Sequence, residues 1–208
     1  MKDILEDNFQ KITNVLDNLD ENREEVLKIS RKIVRECSNA IKSIHRNNFN
    51  EYNTKIQRIE QDLESMRNLI NESPGYLYKY LKTPEQEYVE AIILNALINN
   101  KKVPDHIQLN VDALNYTLGL ADVVGELRRH VLDNIRNANV EEINEILEKM
   151  DEIYSNLFSL DYPSGLTKDL RHKTDTARNL IEKTRADVSL SVQMNTLSSL
   201  LKRKNKDL

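Results

Sequence analysis

Apolar residues recur three and four positions apart along much of the chain, at Val26, Ile29, Ile33, Cys37, Ala40, Ile41 and Ile44, and again at Leu120, Val123, Val124, Leu127 and Val131. That is the period of helices burying one face. Ser73-Pro74-Gly75, Thr83-Pro84, Val103-Pro104 and Tyr162-Pro163-Ser164-Gly165 interrupt it as turns or helix starts. Between them the pattern predicts one long or broken helix over 2–20 and 21–49, then helices over 51–72, 84–100, 110–137, 140–158 and 166–202, with a frayed charged tail at 203–208. Thr83-Pro84-Glu85-Gln86 reads as a capping box with proline at the first helical position, and Asn139-Val140-Glu141-Glu142 as an Asn cap with acids against the dipole. No fixed-period repeat, low-complexity tract or heptad register long enough to require a simple coiled coil is present.

Composition strengthens the helical reading. Four glycines and four prolines in 208 residues, no tryptophan and 5% aromatics suit long helices better than sheets. The expectation is an all-α fold, a single helical domain over 1–208. The longest apolar run, Ala91 to Ile98, is interrupted by Asn95, and no charged start leads into an apolar, small-residue cleavage segment, so a soluble, cytoplasmic protein without a membrane span is expected. Cys37 is the one cysteine; with Ile33, Ile41 and Ile44 at helical spacing it reads as core.

A net charge of −4 argues mildly against binding a polyanion, unless the charge is segregated. On the first long helix it is. At about 100° per residue, Lys28, Lys32, Arg35, Asn39, Lys42 and Arg46 share a narrow sector with Arg31 at its edge, no acid between 28 and 46 enters that sector, and the apolar residues lie opposite. A solvated face would look the same. The functional alternative is a track on which Lys and Arg neutralise phosphates and Arg stacks on unpaired bases.

Two acidic pairs are oddly placed. Glu87 and Glu90 lie three apart on one side of the helix opening at Pro84, and that side continues into Leu94 and Leu97. Carboxylates leading an apolar stripe need a metal, a cation or hydrogen bonds if buried, although dipole compensation would explain them equally and would fit Glu85 as well. Asp122 and Glu126, four apart, lie off the apolar face of their helix, where a solvated role is the simpler account. Gly119 and Gly125 flank them, each costing a helix about 1 kcal/mol relative to alanine, which is tolerated where a neighbouring backbone or a ligand approaches closely. Four converging carboxylates would favour Mg²⁺ or Mn²⁺. His130, four residues past Glu126, is a weaker candidate for the same site. A zinc-type Cys/His cluster, a Walker loop, a dinucleotide fingerprint and a nucleophile elbow are absent from the sequence.

Taken together, these segments resemble the translin family, specifically its TRAX branch. Arg23-Glu24-Glu25-Val26-Leu27-Lys28-Ile29-Ser30-Arg31 with Ile44-His45-Arg46 looks like the family's opening helix. Gln86-Glu87-Tyr88-Val89-Glu90-Ala91 looks like the first TRAX acidic motif, and Tyr116-x-x-Gly119-Leu120-Ala121-Asp122-x-x-Gly125-Glu126-Leu127 like the second. The resemblance implies a seven-helix fold, assembly into a hollow, usually octameric homo-oligomer, and Mg²⁺-dependent cleavage of single-stranded RNA, with single-stranded DNA a further ligand. It carries catalytic and metal-binding roles onto Glu87, Glu90 and Asp122 with Glu126 in support, and nucleic-acid contacts onto Lys28, Arg31, Lys32, Arg35, Lys42, His45 and Arg46. The chain departs from TRAX in being shorter between Asn100 and Asn110 and in matching only loosely at its C-terminal segment. A non-catalytic single-strand binder of translin type and a helical scaffold with merely solvating charges are the alternatives.

Overall fold

The computed structural model describes residues 2–135, 140–167 and 169–204. The all-α expectation holds: no strand occurs among the described residues. In chain order the elements are α1 Lys2–His45, α2 Phe49–Asn71, α3 Pro74–Leu77 running into a 3₁₀ turn at Tyr78–Leu81, α4 Lys82–Ile98, α5 Ala113–Asn134, α6 Val140–Phe158, α7 Ser164–Thr167 and α8 Leu170–Lys204. Six of these are long; with the short helical passage 74–81 they make up the expected seven, and α7 is a single turn in the loop before α8.

Several boundaries differ from those expected, each for a local reason. Residues 2–45 form one uninterrupted helix, since nothing near position 20 breaks it. It ends where Asn47 takes the left-handed conformation, φ 56°, which asparagine tolerates better than most residues. Asn48 then caps α2, its side-chain oxygen accepting from the Glu51 N–H at 3.3 Å, so α2 starts two residues earlier than the sequence suggested. Thr83 is not a cap: the 3₁₀ turn feeds directly into α4 at Lys82, and Pro84 sits in the first turn, where an absent N–H costs no intrahelical bond. α5 starts later than expected because Asp112 caps it, accepting from Leu114 N at 2.8 Å and Asn115 N at 3.2 Å. α6 has the bounds read from its periodicity. Asn139, the end of the fifth helix at 136–137 and the tail beyond 204 lie outside the described residues.

The chain divides into two compact units, Met1–Tyr88 and Val89–Leu208. In the first, α1 and α2 pack as an antiparallel hairpin: Asn22 bonds Glu72, Lys32 pairs with Asp62 and Glu36 with Lys55, so partners move down one helix as they move up the other. Val26, Ile33, Cys37, Ala40 and Ile44 are fully buried on α1. On α2 the buried row is Tyr52, Ile56, Ile59, Leu63, Met66 and Ile70, alternating four and three apart in the 3.5-residue period that keeps one seam facing a partner helix. Cys37 is core, as expected. Beyond the hairpin, Leu5, Phe9, Ile12, Val15 and Leu16 of α1 are exposed.

In the second unit α5, α6 and α8 pack on one another. Leu118, Val123, Val124 and Leu127 of α5, Met150 of α6, and Ala177, Ile181 and Thr184 of α8 are buried there. α5 and α8 run in the same direction: Asp122 pairs with Lys173, Gly125 faces Leu180, and Arg128 reaches Thr184 and Asp187 at 3.0 and 2.8 Å. The long loop before α5 is tied down by Tyr116, whose hydroxyl donates to the Pro104 carbonyl at 2.9 Å.

Candidate functional site

The cationic row of α1 is real surface. Lys28, Arg31, Lys32, Arg35, Lys42 and Arg46 are exposed, while Asn39 and His45 are half-buried. The row is not uniform, however. Lys32 is committed to Asp62 across the hairpin at 2.7 Å, and Lys28 lies 3.4 Å from Glu25. Among the described residues no carboxylate is paired with Arg31, Arg35, Lys42 or Arg46. Arg31, Arg35 and Lys42 line an open groove of about 410 Å³ together with Ser30, Ser38 and Thr83. Thr83 belongs to the first turn of α4, and Glu87 follows one turn later on the same side of that helix. The groove is therefore walled by the helix that carries the first acidic pair.

Glu87 and Glu90 are half-buried, and Leu94, a turn past Glu90, is fully buried, as the stripe implied. The buried acid of α4 is a different one. Glu85 is 3% exposed and bonded to Arg67 of α2 at 3.2 Å. The dipole-compensation account of Glu85 thus gives way to a buried ion pair. Next to Glu87, Tyr88 is buried and its hydroxyl donates to Glu60 Oε1 at 2.9 Å. Burial, and then the Glu60 charge, push the Tyr88 phenol well above its ordinary value. It is a fixed donor, not a proton-transfer group.

Asp122 and Glu126 are also half-buried. Asp122 is in ion-pair contact with Lys173 of α8, whose ammonium also lies 3.4 Å from the Leu118 carbonyl oxygen. Glu126 is 3.6 Å from Arg129 on its own helix. Lys173 stands 51 residues from Asp122, and no spacing pattern could have pointed to it. At Gly125 the chain itself leaves room for a side chain: a Cβ there would meet Leu180 Cδ1 at 3.9 Å, an ordinary contact, so no close approach within the described residues calls for glycine. Gly119 is buried in α5. His130 lines a separate cavity of about 440 Å³ with Asn134, Glu142, Glu145 and Lys149.

Carboxylate oxygens are the right chemistry for a hard divalent cation. As described, however, the acids do not fit a ready metal centre. No group of three or more His, Cys, Asp or Glu side chains among the described residues is arranged to hold an ion, and one expected ligand, Asp122, already has a cation against it. Nor is any helix among the described residues long and apolar enough to cross a membrane.

Comparisons with known proteins agree with the motifs. The chain is 37% identical over 199 residues to an uncharacterized protein of Methanocaldococcus jannaschii, covering 95% of this chain and 88% of that one. It is 21% identical to the translin-associated protein X homolog of Schizosaccharomyces pombe, over 86% of this chain and 84% of the relative. Among solved structures it is similar to AfC3PO, with a TM-score of 0.83 and 29% identity over 90% of this chain and 98% of that one. It is similar also to AfC3PO in a complex with duplex RNA, with a TM-score of 0.82, 28% identity and 90% and 97% coverage. The sequence pattern of the translin family matches residues 21–188, and the chain belongs to that family.

Proposed function

We propose that this protein binds single-stranded RNA along the α1 groove and cleaves it, as a Mg²⁺- or Mn²⁺-dependent endoribonuclease of the TRAX-like kind. Binding of RNA is the firmer part, supported by family membership and by a solved relative in complex with duplex RNA. The observation that carries the reading is the groove itself: Arg31, Arg35 and Lys42, with no carboxylate paired to them among the described residues, beside Thr83, a turn before Glu87. Cations spaced along a helix neutralise successive phosphates, and arginine can also stack on unpaired bases. A strand held there would run past the start of α4.

In this reading Glu87, Glu90 and Asp122 are the acids of the cleavage reaction and Glu126 supports them. The ion that such oxygens would select is part of the proposal: Glu87, Glu90 and Asp122 would hold it, and it would supply stabilisation of charge on the phosphate. Assembly into a homo-oligomer, octameric by the family resemblance, belongs to the same proposal, as do a cytoplasmic setting and binding of single-stranded DNA. The exposed apolar residues Leu5, Phe9, Ile12 and Leu16 on α1 and Leu190, Met194 and Leu197 on α8 are surface that copies of the chain would cover.

A second reading, a non-catalytic single-strand binder, is favoured by the Lys173–Asp122 pair and by the lack of a grouped acid cluster among the described residues. One experiment separates the two. End-labelled single-stranded and duplex RNA are incubated with the protein in Mg²⁺ or EDTA, with Glu87→Gln, Glu90→Gln and Asp122→Asn in parallel, and binding is measured on the same samples. Cleavage that needs Mg²⁺ and is lost in these variants is expected. Cleavage by all three variants would remove the acids from the reaction, and tight binding without any cleavage would favour the second reading.

A further inference from the structure

Tyr76, Tyr78 and Tyr80 fall within five residues, on the short helical passage that joins α2 to α4. That passage is anchored. Leu77 and Leu81, four residues apart, are both buried. Tyr80 is held from two sides: its hydroxyl accepts from Arg23 Nε of α1 at 3.2 Å, and the Lys79 ammonium lies 5.2 Å from the centre of its ring. Arg23 is itself engaged by Glu24 and Asp20, at 2.5 and 3.4 Å, so it fastens Tyr80 to α1 and has little charge to offer a phosphate. Tyr76 and Tyr78 are different: they remain 69% and 52% exposed. Two large rings presented to water on a fixed backbone are surface ready for a partner. Their position says which. The 3₁₀ turn runs into α4 at Lys82, and the next residue, Thr83, lines the cationic groove of α1. At about 2 Å per residue, Tyr78 is roughly 10 Å along the chain from Thr83.

We propose that Tyr76 and Tyr78 form a stacking platform for unpaired bases at the edge of the α1 groove, which makes this surface a reader of single strands over duplexes. The inference rests on the reading of that groove as an RNA-binding surface. Phosphates and bases make different demands. A row of cations holds any polyphosphate chain, single or double, because it touches only charge. An aromatic ring needs a free base face, which a single strand offers and a duplex keeps inside its own stack. The chain sets the two kinds of contact next to each other: Arg31, Arg35 and Lys42 line the groove with Thr83, and the tyrosines stand on the turn that leads into Thr83. Leu77, Leu81 and Tyr80 fix that turn before any ligand arrives, and a tyrosine has only two side-chain torsions to order, so little freedom is lost when a base settles on the ring.

The test is fluorescence anisotropy with the full-length chain in EDTA, on a labelled single-stranded oligoribonucleotide, on its duplex and on an abasic strand of the same length. The chains compared are the wild type, Tyr76→Ala, Tyr78→Ala, the double variant Tyr76→Ala/Tyr78→Ala, and Tyr76→Phe and Tyr78→Phe. Each single alanine variant should bind the single strand about tenfold more weakly with an unchanged salt slope, because a stacked base is lost and no phosphate contact is. Affinity for the duplex and the abasic strand should stay within about twofold of the wild type, and phenylalanine should retain single-strand binding, since it keeps the ring. Undiminished single-strand binding by the double variant, while glutamine at Arg31, Arg35 and Lys42 still flattens the salt slope, overturns the platform and leaves the groove reading standing. An equal loss on all three probes overturns it as well; if the sedimentation velocity changes too, the tyrosines belong to a contact between copies of the chain. If the wild type binds none of the probes in a salt-dependent way, the groove reading fails and the platform with it. Each variant is checked by urea unfolding; leucine, which fills similar space without an aromatic face, replaces alanine where a variant lacks a cooperative transition.

Discussion

Replacing Arg31, Arg35 and Lys42 together by glutamine should weaken binding of a single-stranded RNA while leaving the protein folded. All three are exposed on α1 and share one groove, and no carboxylate is paired with them among the described residues, so their charge is available to phosphates. For single strands the logarithm of the binding constant falls by about 0.7 per neutralised phosphate for each tenfold rise in salt. Three phosphates at about 0.15 M salt then correspond to about 1.7 logarithmic units, roughly a fiftyfold loss, and to a salt slope flatter by about 2. Exposed helix positions changed to a good helix former should move stability by no more than about 0.5 kcal/mol. Lys32→Gln is the internal contrast. That ammonium is held by Asp62, so its loss should reduce affinity less than loss of Arg35 alone. Fluorescence anisotropy on a labelled oligoribonucleotide across a salt series measures both quantities. An unchanged slope in the triple variant, with the protein folded, would remove the groove from the binding surface.

Glu85→Ala leaves Arg67 without its partner in a largely buried setting and should cost about 3 kcal/mol in urea unfolding; a loss under about 1 kcal/mol would mean that water already solvates the guanidinium. Tyr88→Phe removes the bond to Glu60 and should cost about 1 kcal/mol near neutral pH. Because burial raises the folded phenol above its ordinary 10.0, the unfolded chain loses that proton first, so wild-type stability falls as pH rises past 10 and its advantage over Tyr88→Phe should narrow between about pH 9 and about pH 11. A constant gap across that range would contradict this assignment. Asn48→Ala removes the cap of α2 and should cost about 1 kcal/mol by thermal or urea unfolding. Gly125→Ala has room for its methyl group beside Leu180 and should stabilise α5 by up to about 1 kcal/mol; marked destabilisation would show that a neighbour of this chain needs the space.

Where the fold was legible, the reason was helical period unopposed by other signals. α6 has the expected bounds because Ile143, Ile146, Leu147, Met150, Ile153 and Leu157 give one apolar face, every one of them buried. The boundaries that shifted depended on groups with no periodic signature. Over the first 49 residues the sequence left one long or one broken helix open; no glycine or proline occurs there, and α1 runs unbroken to His45. Thr83 has the composition of a cap, but whether the preceding residues are already helical is decided by the 3₁₀ turn at Tyr78–Leu81, in which Leu81 is buried. Asp112, an equally ordinary acid, became the cap of α5 through two backbone bonds that its sequence neighbours do not announce.

The site divides along the same physical line. Charge segregation on α1 is a property of one helix, so it could be read from spacing, and the exposure of its six Lys and Arg residues bears it out. Which carboxylate on α4 is sequestered is a property of two helices. Glu85, Glu87 and Glu90 are equivalent in sequence as acids near a helix start, and it is Glu85 that is held in the core, paired with Arg67 arriving from α2. A buried carboxylate bonded to a guanidinium cannot approach a phosphate without breaking a costly pair. Glu87 and Glu90 remain half-exposed. On α5 the pair of Asp122 with Lys173 ties that helix to α8 and stays partly exposed, with the Leu118 carbonyl oxygen 3.4 Å from the ammonium. How far each of these acids is sequestered is thus set by partners 18 and 51 positions away in the chain, beyond the reach of any helical spacing.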